Sequence, residues 1–245
     1  MPFTHPAFQP YRKLIDALDL AQKPCSLDAL NALAGGLGVQ QARGLPLRFV
    51  APDGRLSARD YETHILQTGE IPTRADTWHD LMNALVWLRF PRFKAALNAA
   101  HGEAIPLEAD TTRGRRRDAL TVLDESGVWV LSRDPDLPGL LTGHAWQTLF
   151  WHRREAVQSD MQFVVVGHAL LEKMLAPYPA ITGKCLMLPA VSLNANDAEP
   201  LAIRALDALA NPRQLAPLPV QGIPEWDAAN ARAAYYANTD IFRPA

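Results

Sequence analysis

The stretch "TWHDLMNALVWLRFPRFKAALNAAH", Thr77 to His101, restricts the fold more than any other part of the chain. It is apolar at helical spacing, and long enough for several turns. Pro91 cannot sit inside a helix, because it lacks an N–H and its ring clashes with the turn before it. It can open one. The stretch therefore predicts two helices, roughly residues 77–90 and 92–100, with a sharp bend between them. Thr77 with Asp80 three residues on resembles a capping box. Trp78, Leu81, Leu85 and Leu88 form a core-facing stripe.

The same stretch is rich in hydrogen-bonding groups. His79 and Asn83 lie one turn apart, with Asp80 beside them. Lys94, Asn98 and His101 share a face of the second helix. If the two polar faces meet, they form a site with Trp87 close by. His79 would then act as general base or metal ligand, Asp80 would orient it, and Asn83 would position substrate or water. The plainer reading is structural: Asp80 caps its helix and His79 satisfies a backbone carbonyl.

Further segments suggest further parts of such a site. "ALTVLDESGVWVLS" (119–132) reads as a β-hairpin, because Asp and Gly at the ends of "DESG" favour a type I turn. Asp124 and Glu125 would stand at its tip, with Asp118 just upstream. Paired carboxylates hold divalent ions or divide acid and base work, although turns are rich in Asp for local reasons too. "VVVGHALLE" places Gly167 and His168 where a strand enters a helix, so free N–H groups there could hold an anion. Glu172, one turn after His168, could share a metal or a proton with it. Residues 89–117 hold seven Lys/Arg (Arg89, Arg92, Lys94, Arg113, Arg115, Arg116 and Arg117) against three Asp/Glu. Such a patch could hold a phosphate or carboxylate, with Lys94, Arg117, Asn98 and Trp87 as ligand-binding residues.

Elsewhere the reading is architectural. "YRKLIDALDLA" and "SLDALNALAGGLG" read as helices, the second capped by Ser26 and stopped at Gly35-Gly36. "LPLRFV" (45–50) reads as a strand, and "SARDYETHILQTGE" as a helix between Ser57 and Gly69. "GHAWQTLFWHRREAV" is a helix, "MQFVVV" and "KCLMLPA" are strands, and "GHALLEKMLAP" is a helix. "NDAEPLAIRALDALAN" is a helix capped near Asn196 or Asp197. The chain has 20 prolines, and from Pro212 on it is Pro-rich, so an extended tail (212–245) should wrap and pack. The expectation is a single α+β domain over 1–245, helix-rich around a small mixed sheet that contains the 119–132 hairpin.

Composition removes several classes. The net charge of −2 gives no general attraction to nucleic acid or to anionic membranes. No apolar run is long enough to span a bilayer. The beginning, "MPFTHPAFQPYRK", lacks an apolar signal core, so a cytoplasmic location is expected. Cys25 and Cys185 read as reduced, buried thiols. No phosphate loop, dinucleotide fingerprint, G-x-S-x-G elbow or H-E-x-x-H pair is present.

The chain also resembles a known group. "RFV" with "YETHILQTGEIPTRADTWHDLMNALVWLRFPRFKAALNAAH" looks like the signature of the bacterial family called domain of unknown function 3025. "RRRDALTVLDESG", "VVVGHALLEKMLAPY" and "GIPEWDAANARAAYYANTDIFRP" fit the same pattern, from Pro6 to Pro244. The resemblance implies one self-contained unit and brings no activity, cofactor or catalytic residue. Some members are labelled membrane proteins, and this sequence departs from that label.

The residues thus suggest a hydrolase-like enzyme using acid–base or metal-assisted chemistry on a small anionic substrate. Its centre would be His79, Asp80 and Asn83, joined by Asp124 and His168. A divalent metal would be held with help from Asp118, Glu125 or Glu172. The alternative is a non-catalytic module that binds an anionic ligand or a partner protein, with the His/Asp/Asn cluster structural.

Overall fold

A computed structural model describes residues 3–20, 26–105 and 114–244. The chain opens with α1 (Arg12–Ala17) and α2 (Leu27–Leu37). Ser26 caps α2 by accepting from the Ala29 N–H at 3.2 Å. Gly35-Gly36 do not stop this helix. It ends at Gly38, whose φ of 63° is the left-handed conformation that closes helices.

β1 (Arg48–Val50), α3 (Ala58–Thr68) and β2 (Glu70–Pro72) follow, and the two strands pair in parallel. Ser57 caps α3 and Gly69 ends it, as the sequence suggests.

Pro91 divides the apolar stretch into α4 (Trp78–Arg89) and α5 (Pro91–Ala104). α4 is buried over every residue from Leu81 to Leu88, not along one stripe, because α2, α5 and later helices all pack on it. Thr77 makes no side-chain cap: its hydroxyl donates to the Arg74 carbonyl at 3.3 Å, and Asp80 turns to the Arg74 guanidinium.

The expected hairpin at 119–132 is absent. Residues Arg115–Ser126 form helix α6, and only Gly127–Ser132 are strand, β3. Ala119, Leu120 and Leu123 are the buried side of α6, and that helical burial outweighs the local β preference of Thr121-Val122. Gly127 ends the helix where a Cβ would lie 2.2 Å from the Leu123 carbonyl.

After α7 (Leu137–Thr142), the expected helix over 143–157 is broken. A π-helical turn spans Thr148–His152, and α8 covers Arg154–Asp160. β4 (Met161–Val165), α9 (His168–Lys173), β5 (Thr182–Pro189), α10 (Ala195–Ala208) and β6 (Ala216–Pro219) complete the elements. Asn194, not Asn196 or Asp197, caps α10.

The four-stranded sheet has the order β4-β3-β5-β6, with β3 and β5 parallel and the outer pairs antiparallel. The fold is therefore α+β with small mixed sheets. β6 begins the C-terminal tail, which continues in short 3-10 turns and buries Tyr236 and Phe242 against the core. Trp146 holds the tail end by donating to the Arg243 carbonyl at 2.8 Å. Cys185 is free and buried, and burial pushes its thiol well up. Cys25 lies outside the described residues. Among those residues, no helix is long and apolar enough to cross a membrane.

Candidate metal centre

Of the sequence-predicted groups, His79, Asp80, Asn83, Asp124, Glu125 and His168 line one cleft of about 830 Å³. One wall is the 52–58 loop with α3, and the other is built by α4, α6 and α9. α6 supplies Thr121, Asp124 and Glu125, at i, i+3 and i+4 of one helix face. α3 supplies Ala58, Tyr61 and Glu62 by the same spacing. His79 comes from the first turn of α4, and His168 is the first residue of α9.

Two glycines hold α6 and α9 together. Val166 and Gly167 both donate N–H to the Gly127 carbonyl at 2.9 Å. A Cβ on Gly167 would lie 2.3 Å from the Gly127 nitrogen and 2.6 Å from the Glu125 oxygen. The Gly167 N–H is thus spent on this junction and is not offered to an anion.

His79, His168 and Glu125 form the centre. Their ligand atoms all lie within 4.8 Å of one another. The two Nε2 atoms are 3.2 Å apart, and the His168 Nε2 is 3.5 Å from Glu125 Oε2. Glu172 Oε2 sits 3.0 Å from His79 Nδ1. A carboxylate only accepts, so that contact places the His79 proton on Nδ1 and leaves the Nε2 lone pair facing the cluster. The His168 Nε2–H can donate to that lone pair. A cation between the two rings would replace this proton and leave the His168 N–H on Nδ1. Nδ1 is buried without a hydrogen bond and faces Asp124 Oδ2 at 3.8 Å. A carboxylate behind each imidazole is the arrangement that orients histidine ligands on metals.

Asp124 is anchored from below. Lys94 Nζ bonds its Oδ1 and lies 5.4 Å over the Trp87 ring. Burial alone would raise the Asp124 carboxyl, but the Lys94 ammonium and His168 outweigh it and hold it well below the usual range. Glu62 goes the other way. Burial, reinforced by the Asp124 charge, pushes it up to about 7. Burial also keeps the Tyr61 phenol neutral, far above its ordinary value.

Several expected roles change. Asp80 does not orient His79; Glu172 does. Asp80 takes two bonds from the Arg74 guanidinium, at 2.9 and 2.8 Å. Burial would raise the Asp80 carboxyl, yet these bonds keep it below its ordinary value. Glu172 serves His79 rather than sharing an ion with His168.

Asn83 lines the cleft and donates to the Tyr61 hydroxyl at 3.0 Å. Asn98 is buried against Glu62, and Trp87 is buried beneath Lys94. Arg117 and Asp118 do not line the cleft: they share the α6 face of Asp124 and Glu125 but stand two turns nearer the start of the helix. The basic patch does not converge. Arg89 binds the Pro10 carbonyl and Asn196, Arg116 binds the Asp207 and Leu209 carbonyls, and Arg113 lies outside the described residues. The cations at the cleft are Arg55 and Arg74, neither singled out by the sequence. Glu62 was missed as well, although the i, i+3, i+4 spacing of Ala58, Tyr61 and Glu62 is readable in the α3 sequence.

The molecule is thus an α+β protein whose main cleft carries a two-histidine, one-carboxylate cluster. It belongs to the family described as protein of unknown function, DUF3025, whose model matches residues 47–245. No curated protein and no solved structure matches the chain.

Proposed function

We propose that this cleft is the active site of a metal-dependent hydrolase acting on a small substrate with an anionic group. The observation that carries the reading is the convergence of His79, His168 and Glu125, with Glu172 and Asp124 behind the two imidazoles. Two nitrogens and one carboxylate oxygen suit a catalytic zinc-type ion, which keeps a further position for water or substrate. Such an ion lowers the pKa of bound water to about 7 and makes a nucleophile at neutral pH. Arg55, on the exposed 52–58 loop, lines the cleft and would meet the anionic end of a substrate. The buried, free Cys185 fits a reducing compartment, which supports a cytoplasmic setting.

The test is zinc uptake by equilibrium dialysis with elemental analysis. One zinc per chain is expected, lost in His79→Ala, His168→Ala and Glu125→Ala. A wild type that emerges without zinc, cobalt or manganese sinks the reading.

One observation favours a second reading. Glu172, His79, His168, Asp124 and Lys94 form a continuous polar chain, as a structural network in a non-catalytic binding module would. Such a network would make His79→Ala strongly destabilising in the absence of any ion.

A further inference from the structure

We propose that Glu62 is the proton-carrying carboxylate of this site, and that Asn98 is its positioning residue; this rests on the metal reading above. Glu62 reaches the cleft from α3, across from the histidines, and hydrogen-bonds none of the three candidate ligands. Its two oxygens differ. Oε2 accepts from Asn98 Nδ2 at 2.7 Å, and the same Nδ2 lies 2.9 Å from the Glu62 carbonyl. One amide group thus grips both ends of the residue. Oε1 carries no hydrogen bond among the described residues and is not sealed from solvent, so it is the oxygen offered to the cleft.

A small void of about 10 Å³ lies beside Asn98, lined by Glu62, Lys94, Asn98 and Asp124 among others. Asn98 Oδ1 is buried without a partner, and Lys94 has N–H groups beyond the one given to Asp124. The void has the size and polarity of a site for a single water. A water there, accepting from Lys94 and donating to Asn98 Oδ1, would fix the amide that grips Glu62. The carboxyl is displaced upward by burial and by the Asp124 charge, to about 7, where a group accepts and returns protons near neutrality.

In the step this assigns, a water in the cleft loses a proton to Glu62 Oε1 as its oxygen bonds to the electrophilic centre. The bond to the leaving group then breaks, and Glu62 delivers that proton to the departing oxygen or nitrogen. Atoms and charge balance without any further reactant, and the carboxylate is regenerated.

The experiment uses the zinc-loaded full chain and 4-nitrophenyl acetate, an ester whose hydrolysis reads an activated water. Wild type, Glu62→Gln and Asn98→Ala are compared for zinc content, kcat and KM. The expected result for Glu62→Gln is unchanged zinc content, KM within about threefold, and kcat lower by about 100-fold, the lower end of general acid–base contributions. Asn98→Ala should lose about tenfold in kcat with zinc content intact. Zinc uptake with kcat indifferent to Glu62, or with no ester hydrolysis by the wild type, overturns this assignment alone. A wild type that takes up no metal overturns the metal reading and this one with it, so the two failures are told apart by the zinc content.

Discussion

Glu62→Gln should make the ion-free protein more stable above about pH 4.5, with the full gain reached above about pH 7. The Glu62 carboxyl stands at about 7 in the fold against an ordinary 4.5, so the folded chain holds its proton over a range where the unfolded chain has released it. Stability therefore falls as pH rises from about 4.5, and the loss is complete above about 7. At about 1.36 kcal/mol per pH unit, this displacement corresponds to roughly 3 kcal/mol. One carboxylate oxygen meets the cleft, and solvent there screens the charge, which reduces the figure to about 2 kcal/mol. Glutamine keeps the shape and an acceptor for Asn98 but never ionises. The variant should thus match the wild type at pH 4 and exceed it by about 2 kcal/mol at pH 8, about 4–8 °C in Tm for a chain of this size. Urea unfolding with chelator present, at both pH values, measures it. An equal gap at pH 4 and pH 8, or a variant that weakens as pH rises, refutes the reasoning.

Other perturbations probe the supports of the site. Lys94→Met leaves the Asp124 carboxylate buried and unpaired, and should cost about 3–5 kcal/mol in urea unfolding, most of it recovered in Lys94→Met/Asp124→Leu; a loss under about 1 kcal/mol would show that the pair is not buried as described. Gly167→Ala puts a methyl 2.3 Å from the Gly127 nitrogen, so both Tm and zinc affinity should drop; an unchanged melting curve contradicts the close crossing. The His79 side chain is 37% exposed, so His79→Ala should alter ion-free stability by less than about 1 kcal/mol while abolishing zinc uptake. A loss of several kcal/mol would favour the structural network. Zinc at about 100 times its Kd should stabilise the wild type by about 2.7 kcal/mol and His168→Ala by nothing, read by thermal melts.

Local signals were readable where the physics is local. Ser26, Ser57 and Gly69 mark helix ends through bonds to residues a few positions away, and Pro91 breaks its helix by its own ring. The 119–132 segment was misread because the partners of β3 lie far along the chain, in residues 161–165 and 184–189. Thr121-Val122 favours a strand locally, but the burial of Leu120 and Leu123 decides for a helix. That error also obscured the site. On a helix, Asp124 and Glu125 share a face with Thr121, while Arg117 and Asp118 stand two turns back along it, beyond the cleft. His79, Asn83, Asp124 and His168 do meet at one cleft, because α9 packs on both α4 and α6. Nothing in the spacing of His79 and Asp80 shows that Arg74 claims Asp80, or that Glu172, 93 residues away, takes its place.

That long separation has a consequence for how the protein comes into being. His79 and His168 stand 89 residues apart, with Glu125 between them. During synthesis His79 emerges first and waits for both of its neighbours. A growing chain that has not yet produced His168 cannot assemble the cluster, and neither can a proteolytic piece that ends before it. An ion-affinity step during purification would thus retain folded chains that extend past His168 and let shorter translation products pass.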